Sequence, residues 1–212
     1  MFSSGIREKL LTLPTYSKEL GLDLAKAEDR FKWFLASILF AKRISSETAK
    51  KTYKQFEAEG IVTPKRIIEA GWDKLVEVLD SGGYVRYDFS TASKLLDLMK
   101  NLKEKYGSLE NLYVQAKDSE DLEKRLLEFK GIGPVTVNIF LRELKPVWRK
   151  ANPQLSPIAK KMAVRLRLEE KELLVTGLES SLVRLNLEFC KKKKCPECPA
   201  MKSCRKPMSV KK

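Results

Sequence analysis

The chain has 212 residues, enough for one or two compact domains, and its 42 Lys and Arg against 28 Asp and Glu leave a net charge of +14. It contains no histidine, which excludes Ser-His-Asp and Cys-His nucleophile systems, imidazole bases and every histidine-bearing zinc site. The cation excess points to a polyanionic partner, and catalysis must come from carboxylate, Lys, Tyr, Ser or Cys groups, or from a metal on sulfur or oxygen.

Met1 to Pro14 mixes charges with leucines and lacks the regions of a secretion signal. The longest apolar run, Trp33 to Ala41, is too short for a membrane span of ~20 helical residues. A cytoplasmic protein is expected, nucleoid-associated in a prokaryote, with no membrane partner. From there the pattern is helical nearly throughout. Phe31, Phe34, Leu35, Ile38 and Leu39 recur at helical spacing in a helix that opens after Asp29. Ser46 to Phe56 forms the next, and Pro64 opens a third that Gly71 interrupts before a short helix over Asp73 to Leu79. Ser81-Gly82-Gly83 is a loop. Thr91 to Tyr106 is a long amphipathic helix closed by Gly107, and Ser108 to Ala116 and Ser119 to Phe129 supply two more. No run of alternating β-branched residues occurs, so the fold class is all-α.

The segment Leu126 to Val137 carries the most information. Gly131 and Gly133 flank Ile132, which permits a tight turn with positive φ and close backbone approach. Pro134 then preorganises the first turn of a helix whose unpaired N–H groups favour an anion. Between two amphipathic helices, in so cationic a chain, the turn reads as a cradle for a phosphate oxygen. The bland alternative is a mere helical connection.

Lys145 to Pro157 holds three prolines and breaks the helical pattern. Ser156 followed by Pro157 is a good N-cap and first-turn pair. Beyond Phe189 the chain becomes Lys, Cys and Pro, and only a ligand is expected to order it. All four cysteines lie there, as Cys190-x4-Cys195-x2-Cys198-x5-Cys204, with Lys191 to Lys194 inside the first gap. Four clustered thiols in a reducing compartment suit a tetrahedral zinc or an iron–sulfur cluster better than disulfides. The four lysines suit either a phosphate-contacting surface or simple solvation.

These features resemble the endonuclease III-like helix-hairpin-helix DNA glycosylases. The hairpin over Leu126 to Val137, the helix Phe31 to Lys42 that looks like the family's first barrel helix, and the cysteine loop occur in the family's order across nearly the whole chain. The resemblance implies two helical domains. One spans residues 29–141 and ends with the hairpin; the other joins 1–28 to 142–212 and is completed by the cluster loop at 190–204. It implies a [4Fe-4S] cluster on Cys190, Cys195, Cys198 and Cys204, with zinc as the alternative, although the first gap is shorter than the family's usual one. It further implies a monomer on double-stranded DNA, contacted by Lys42, Lys130, Gly131, Ile132, Gly133, Val135, Thr136, Lys192 and Lys193.

The departures from the family matter as much. Val135 stands where bifunctional members carry a Schiff-base lysine, so the usual lyase chemistry is not expected. Ser156 stands where an Asp is usual, and no Asp occurs after Asp121. Lys42 replaces a residue that is often Gln and fills the gap left by the flipped base. The loop Gly82 to Asp88, which borders the interdomain cleft if the resemblance holds, offers Asp88 as a replacement carboxylate and Tyr84 or Tyr87 to stack on an extruded base. Asp88 is equally a helix-start residue. Of the tryptophans, Trp33 belongs in the core, Trp72 is a further aromatic candidate, and Trp148 either stacks on DNA or packs beneath its loop. The expected activity is monofunctional base excision on damaged duplex DNA. The alternatives are an inactive lesion binder and an iron–sulfur redox or scaffold protein that does not act on DNA.

Overall fold

The computed structural model describes residues 3–169, 172–173 and 177–205. Among these residues every regular element is helical and no strand forms. Helix α1 (Ser3–Leu11) and the single turn α2 (Tyr16–Glu19) precede α3 (Ala27–Phe40), whose Glu28 and Asp29 complement the helix dipole. Ser45 caps α4 (Ser46–Ala58) by accepting the Thr48 N–H at 3.0 Å, and Thr63 caps α5 (Pro64–Ser81) through Arg66. Gly71, at φ 74°, breaks α5 into the two helical pieces expected. Helix α6 (Asp88–Tyr106) stops at Gly107, and Ser108 and Asp118 cap α7 (Leu109–Gln115) and α8 (Ser119–Leu127). After a turn come α9 (Pro134–Leu144), α10 (Pro157–Leu166) and α11 (Leu178–Leu185), which runs into a π turn over Asn186–Cys190. Helices α1 and α11 and the single turn α2 are additional to the segments recognised in the sequence. None of the described helices is long and apolar enough to cross a membrane.

The chain divides into two compact units, residues 20–153 and residues 1–19 with 154–212. The expected boundaries at 29 and 141 both require correction, because local contacts draw the flanking loops into the central unit. Leu20 and Leu22 are buried, Leu20 O accepts the Lys54 ammonium, and Arg30 holds Leu24 O and Ala25 O. On the other side Trp148 stacks on Tyr113 at 4.4 Å with nearly parallel rings. Lys150 Nζ donates to the carbonyls of Tyr113, Val114 and Ala116, the unpaired acceptors at the end of α7.

The core of the central unit is built on α3. Trp33, Phe34, Leu35 and Leu39 are fully buried, which hides more than one face of that helix. Trp33 Nε1 donates to Phe140 O in α9 at 3.2 Å, and the Phe34 and Phe140 rings meet at 4.9 Å. In the other unit Ile6 and Leu10 join Ala159, Met162, Leu178, Leu182 and Leu185 in a separate core. Tyr16 donates to Glu188 at 2.7 Å, and Arg184 pairs with Glu19 and lies over the Tyr16 ring. A unit assembled from both ends of the chain is thus closed by polar contacts as well as apolar ones.

Asp29 shows what positions the start of α3. Burial by itself raises its carboxyl, but the Lys32 ammonium at 2.8 Å and the Asp23 N–H at 3.0 Å outweigh it and leave the group below its ordinary value. A depressed carboxyl stabilises the fold above the unfolded value of about 3.9, and that stabilisation is lost as pH falls toward the folded value. Denaturant midpoints measured across acid pH should therefore fall more steeply in the native protein than in Asp29→Asn, which starts less stable at neutral pH.

Candidate nucleic-acid interface and cysteine loop

The turn between α8 and α9 forms around one buried side chain. Ile132 is 7% exposed and its N–H bonds to Phe129 O, while Gly131 takes φ +94° to let the chain reverse. Gly133 is the N-cap of α9 and provides no side-chain cap, and Pro134 opens the helix. The first-turn N–H groups of α9 are left for another acceptor. Of the expected contacts, Ile132 and Thr136 are buried and shape the turn, which corrects any reading of them as side-chain contacts to DNA. Lys130, Gly131 and Val135 are exposed. What the turn offers a polyanion is backbone, the Lys130 ammonium and the apolar tip of Val135.

Lys42, just beyond the C-terminal end of α3, reaches the same place. With Ile38, Lys94, Leu95, Lys130 and Ile132 it lines a small, open and mostly apolar pocket beside the turn. Lys94 was not foreseen from the sequence; it lies in the middle of a long amphipathic helix, and only the turn's approach singles it out. A Cβ on Gly131 would fall 2.8 Å from Lys94 Cδ, so the lysine stem runs along the glycine. None of these three lysines has a carboxylate partner among the described residues. Burial, and then the charge of Lys94, hold the Lys42 amine below its ordinary value.

The loop after Gly82 reads differently from expectation. Tyr84 is fully buried and donates to Leu39 O at 3.1 Å, so it is not available to stack on a base. Burial pushes its phenol far above the ordinary range. Asp88 is the first residue of α6, 9% exposed, and its carboxylate accepts the N–H of Phe89 at 2.6 Å. Its observed work is to start a helix. Tyr87 is half-buried with the Arg86 guanidinium over its ring. Among the described residues the exposed aromatic groups are instead Trp72 and Phe89, whose rings meet at 5.4 Å. Trp33 is core, as expected, and Trp148 is buried between Tyr113 and Phe140, so stacking on DNA is excluded for it in this conformation.

In the other unit Ser156 caps α10 through Ala159, as its sequence context implies. Its own N–H is held by Glu179 Oε1 at 2.9 Å. A buried carboxylate therefore stands beside the helix start that lacks an Asp. Nothing in the local sequence could reveal this, because Glu179 arrives from α11.

The cysteine loop is a run of short turns. Backbone N–H groups of Lys193, Cys198, Met201 and Cys204 close them on Cys190, Cys195, Cys198 and Met201, and Arg205 N–H bonds Arg165 O. These bonds order the loop alongside anything a ligand contributes, which modifies the expectation that a ligand alone would do so. Cys190, Cys198 and Cys204 pack against the core of this unit. Burial pushes the Cys190 and Cys198 thiols up, and the charges of neighbouring cysteines add to the effect on both. Among the described residues no three Cys, Asp or Glu groups are gathered as tightly as a metal ion requires. The donor set fits a thiophilic metal or cluster in type and neighbourhood, and binding would draw the sulfurs inward with loss of their protons. Of the flanking lysines, Lys192 pairs with Glu188 at 2.5 Å and Lys194 with Glu197 at 3.5 Å. Lys193 is exposed at φ +56°.

Gly131→Ala should destabilise the protein by about 1–2 kcal/mol, from the left-handed backbone and the contact with Lys94. Gly133, at φ −117° with no atom near its missing Cβ, should tolerate alanine better. Paired denaturant curves check the difference.

No protein-family model matches the chain, and no curated protein matches it in sequence.

Proposed function

We propose that the protein binds damaged duplex DNA and releases a flipped base from it as a monofunctional glycosylase. The observation that carries this reading is the turn at Gly131 to Pro134. Uncapped helix N–H groups lie there beside three lysines that have no carboxylate partner among the described residues, in a chain of net charge +14. Such a place suits a phosphate backbone: the amides position a phosphate oxygen and the lysines displace counterions. The resemblance of the α8–turn–α9 segment to a helix-hairpin-helix supports the same partner. The exposed lysines of the cysteine loop add cationic surface in the other unit.

Excision requires the base to leave the stack and the sugar to bear positive character as the N-glycosidic bond breaks. The base departs with the bonding electrons and water adds at C1′. A carboxylate near C1′ lowers that barrier. Glu179 holds the start of α10, where the resemblance places such a group, and Asp88 is the other buried carboxylate named for the role. The four cysteines would hold a [4Fe-4S] cluster, or zinc, whose contribution is to brace the lysine-bearing loop rather than to react.

One observation favours the second reading, a lesion binder without excision. The Asp88 carboxylate is engaged by Phe89 N–H and that of Glu179 by Ser156 N–H, so each already has a structural task.

Duplexes carrying a panel of lesions separate the readings. Binding should weaken with salt, the log–log slope rising by about 0.9 for each phosphate contacted. Binding that ignores salt would remove the DNA reading in favour of a scaffold. Base release, revealed by heat and alkali, should slow by about 10²-fold in Glu179→Gln with lesion binding retained. An equal loss confined to Asp88→Asn would assign the charge there, and binding without release in the native protein would establish the inactive binder. Anaerobic iron and sulfide should produce a broad absorbance near ~400 nm that any single Cys→Ser change abolishes. A colourless product holding stoichiometric zinc would select the alternative.

A further inference from the structure

The exposed aromatic pair of the central unit has no part in the reading above. Trp72 begins the second piece of α5, directly after the Gly71 break, and Phe89 stands in the first turn of α6. Their rings lie at 32° to one another, although Trp72 is 40% and Phe89 60% exposed. The pair is braced from beneath. The indole N–H donates to Ser93 Oγ at 3.0 Å, and the Ser93 hydroxyl donates to Phe89 O at 3.0 Å. The polar atom of the pair is therefore engaged, and what meets solvent is ring. Lys94 follows Phe89 in α6 after about 7.5 Å of axial rise, close to that of two stacked bases. Its stem lies along Gly131, so one helix joins the aromatic faces to the cations of the turn.

We propose that Trp72 and Phe89 stack an unpaired base of a strand whose phosphates are held at the turn. The preferred polynucleotide is then a duplex that continues into single strand, as at an overhang or a gap. The proposal rests on the DNA reading and narrows its substrate class. Aromatic faces beside a track of cations suit single-stranded nucleic acid, whose bases stack while its phosphates follow the charge. Asp73 is an exposed carboxylate next to Trp72, but exposed Arg86 and the lysines 42, 94 and 130 outnumber it. The Asp88 carboxylate is turned onto the Phe89 N–H. A base taken out of a duplex for excision is enclosed and read along its edge. This pair encloses nothing and keeps its N–H for Ser93, so the base it suits is one already unpaired, of any sequence.

Two experiments on the full chain test it. Trp33 and Trp148 are buried, so Trp72 carries the solvent-exposed emission. A thymidine oligonucleotide of about ten residues should quench that emission, and the quenching should vanish in Trp72→Leu, whose folding is checked by circular dichroism. In the second experiment, a duplex with a thymidine overhang should bind about 5- to 100-fold more tightly than the same duplex with blunt ends. Phe89→Leu should erase that advantage without weakening the blunt duplex, and Phe89→Tyr, which keeps a ring, should retain it. Emission that the oligonucleotide leaves unquenched, equal binding of the two duplexes, or an equal loss on both in Phe89→Leu overturns the proposal and leaves the DNA reading intact. Sedimentation that shows a dimer dissociated by Phe89→Leu overturns it as well, because a second copy then covers the rings. Failure to bind either duplex overturns both.

Discussion

The contact between α3 and α9 is the constraint on which the central unit depends. Trp33 and Phe34 are both wholly buried against Phe140, and the Phe140 carbonyl accepts the indole N–H that this burial removes from water. Each such side chain contributes about 1.5–3 kcal/mol by leaving solvent, and an unpaired indole would give much of that back. Because α9 begins at the turn and α3 ends two residues before Lys42, one packed interface holds both the turn and the Lys42 side chain along the same small pocket. The small shifts that would separate them are resisted by a close-packed core rather than by any bond within the pocket.

The second unit solves a different problem. Its elements come from opposite ends of the chain, so their association pays for a long loop closure. Apolar burial by Ile6 and Leu10 against α10 and α11 provides the main return, and Tyr16, Glu19, Arg184 and Glu188 fix the register of the N-terminal segment. The same unit carries the cysteine loop directly after α11. Three of its cysteines, Cys190, Cys198 and Cys204, pack against the core of this unit.

Local chemistry made several features legible. Ser45, Thr63, Ser108, Asp118 and Ser156 each cap the helix that their context announces, because capping needs only the residue and the next turn. Gly71 and Gly131 take the positive φ values expected of glycines that break or reverse a helix. Asp88 was read in two senses, as a replacement carboxylate and as a helix start, and the second is what its hydrogen bond shows. Residues whose meaning depends on distant partners were read less well. Trp148 was open to two readings, stacking on DNA or packing beneath its loop, and Tyr113 and Phe140 decide for the second. Tyr84 was a candidate to stack on an extruded base, yet its hydroxyl donates to Leu39 O inside the core.

By itself the sequence determined the helical class, the positions of most helices, the cationic character, the absence of imidazole chemistry and the clustering of four thiols. All of these follow from composition or from periodicities shorter than a few helical turns. Only the tertiary structure decided that Lys94 lies along Gly131, that Lys42 is sheltered beside it, and that Glu179 stands at the Ser156 helix start. These pairs are far apart in the chain, and their proximity is set by which apolar faces pack together. A side chain's electrostatic environment, and with it its chemistry, is a property of that packing.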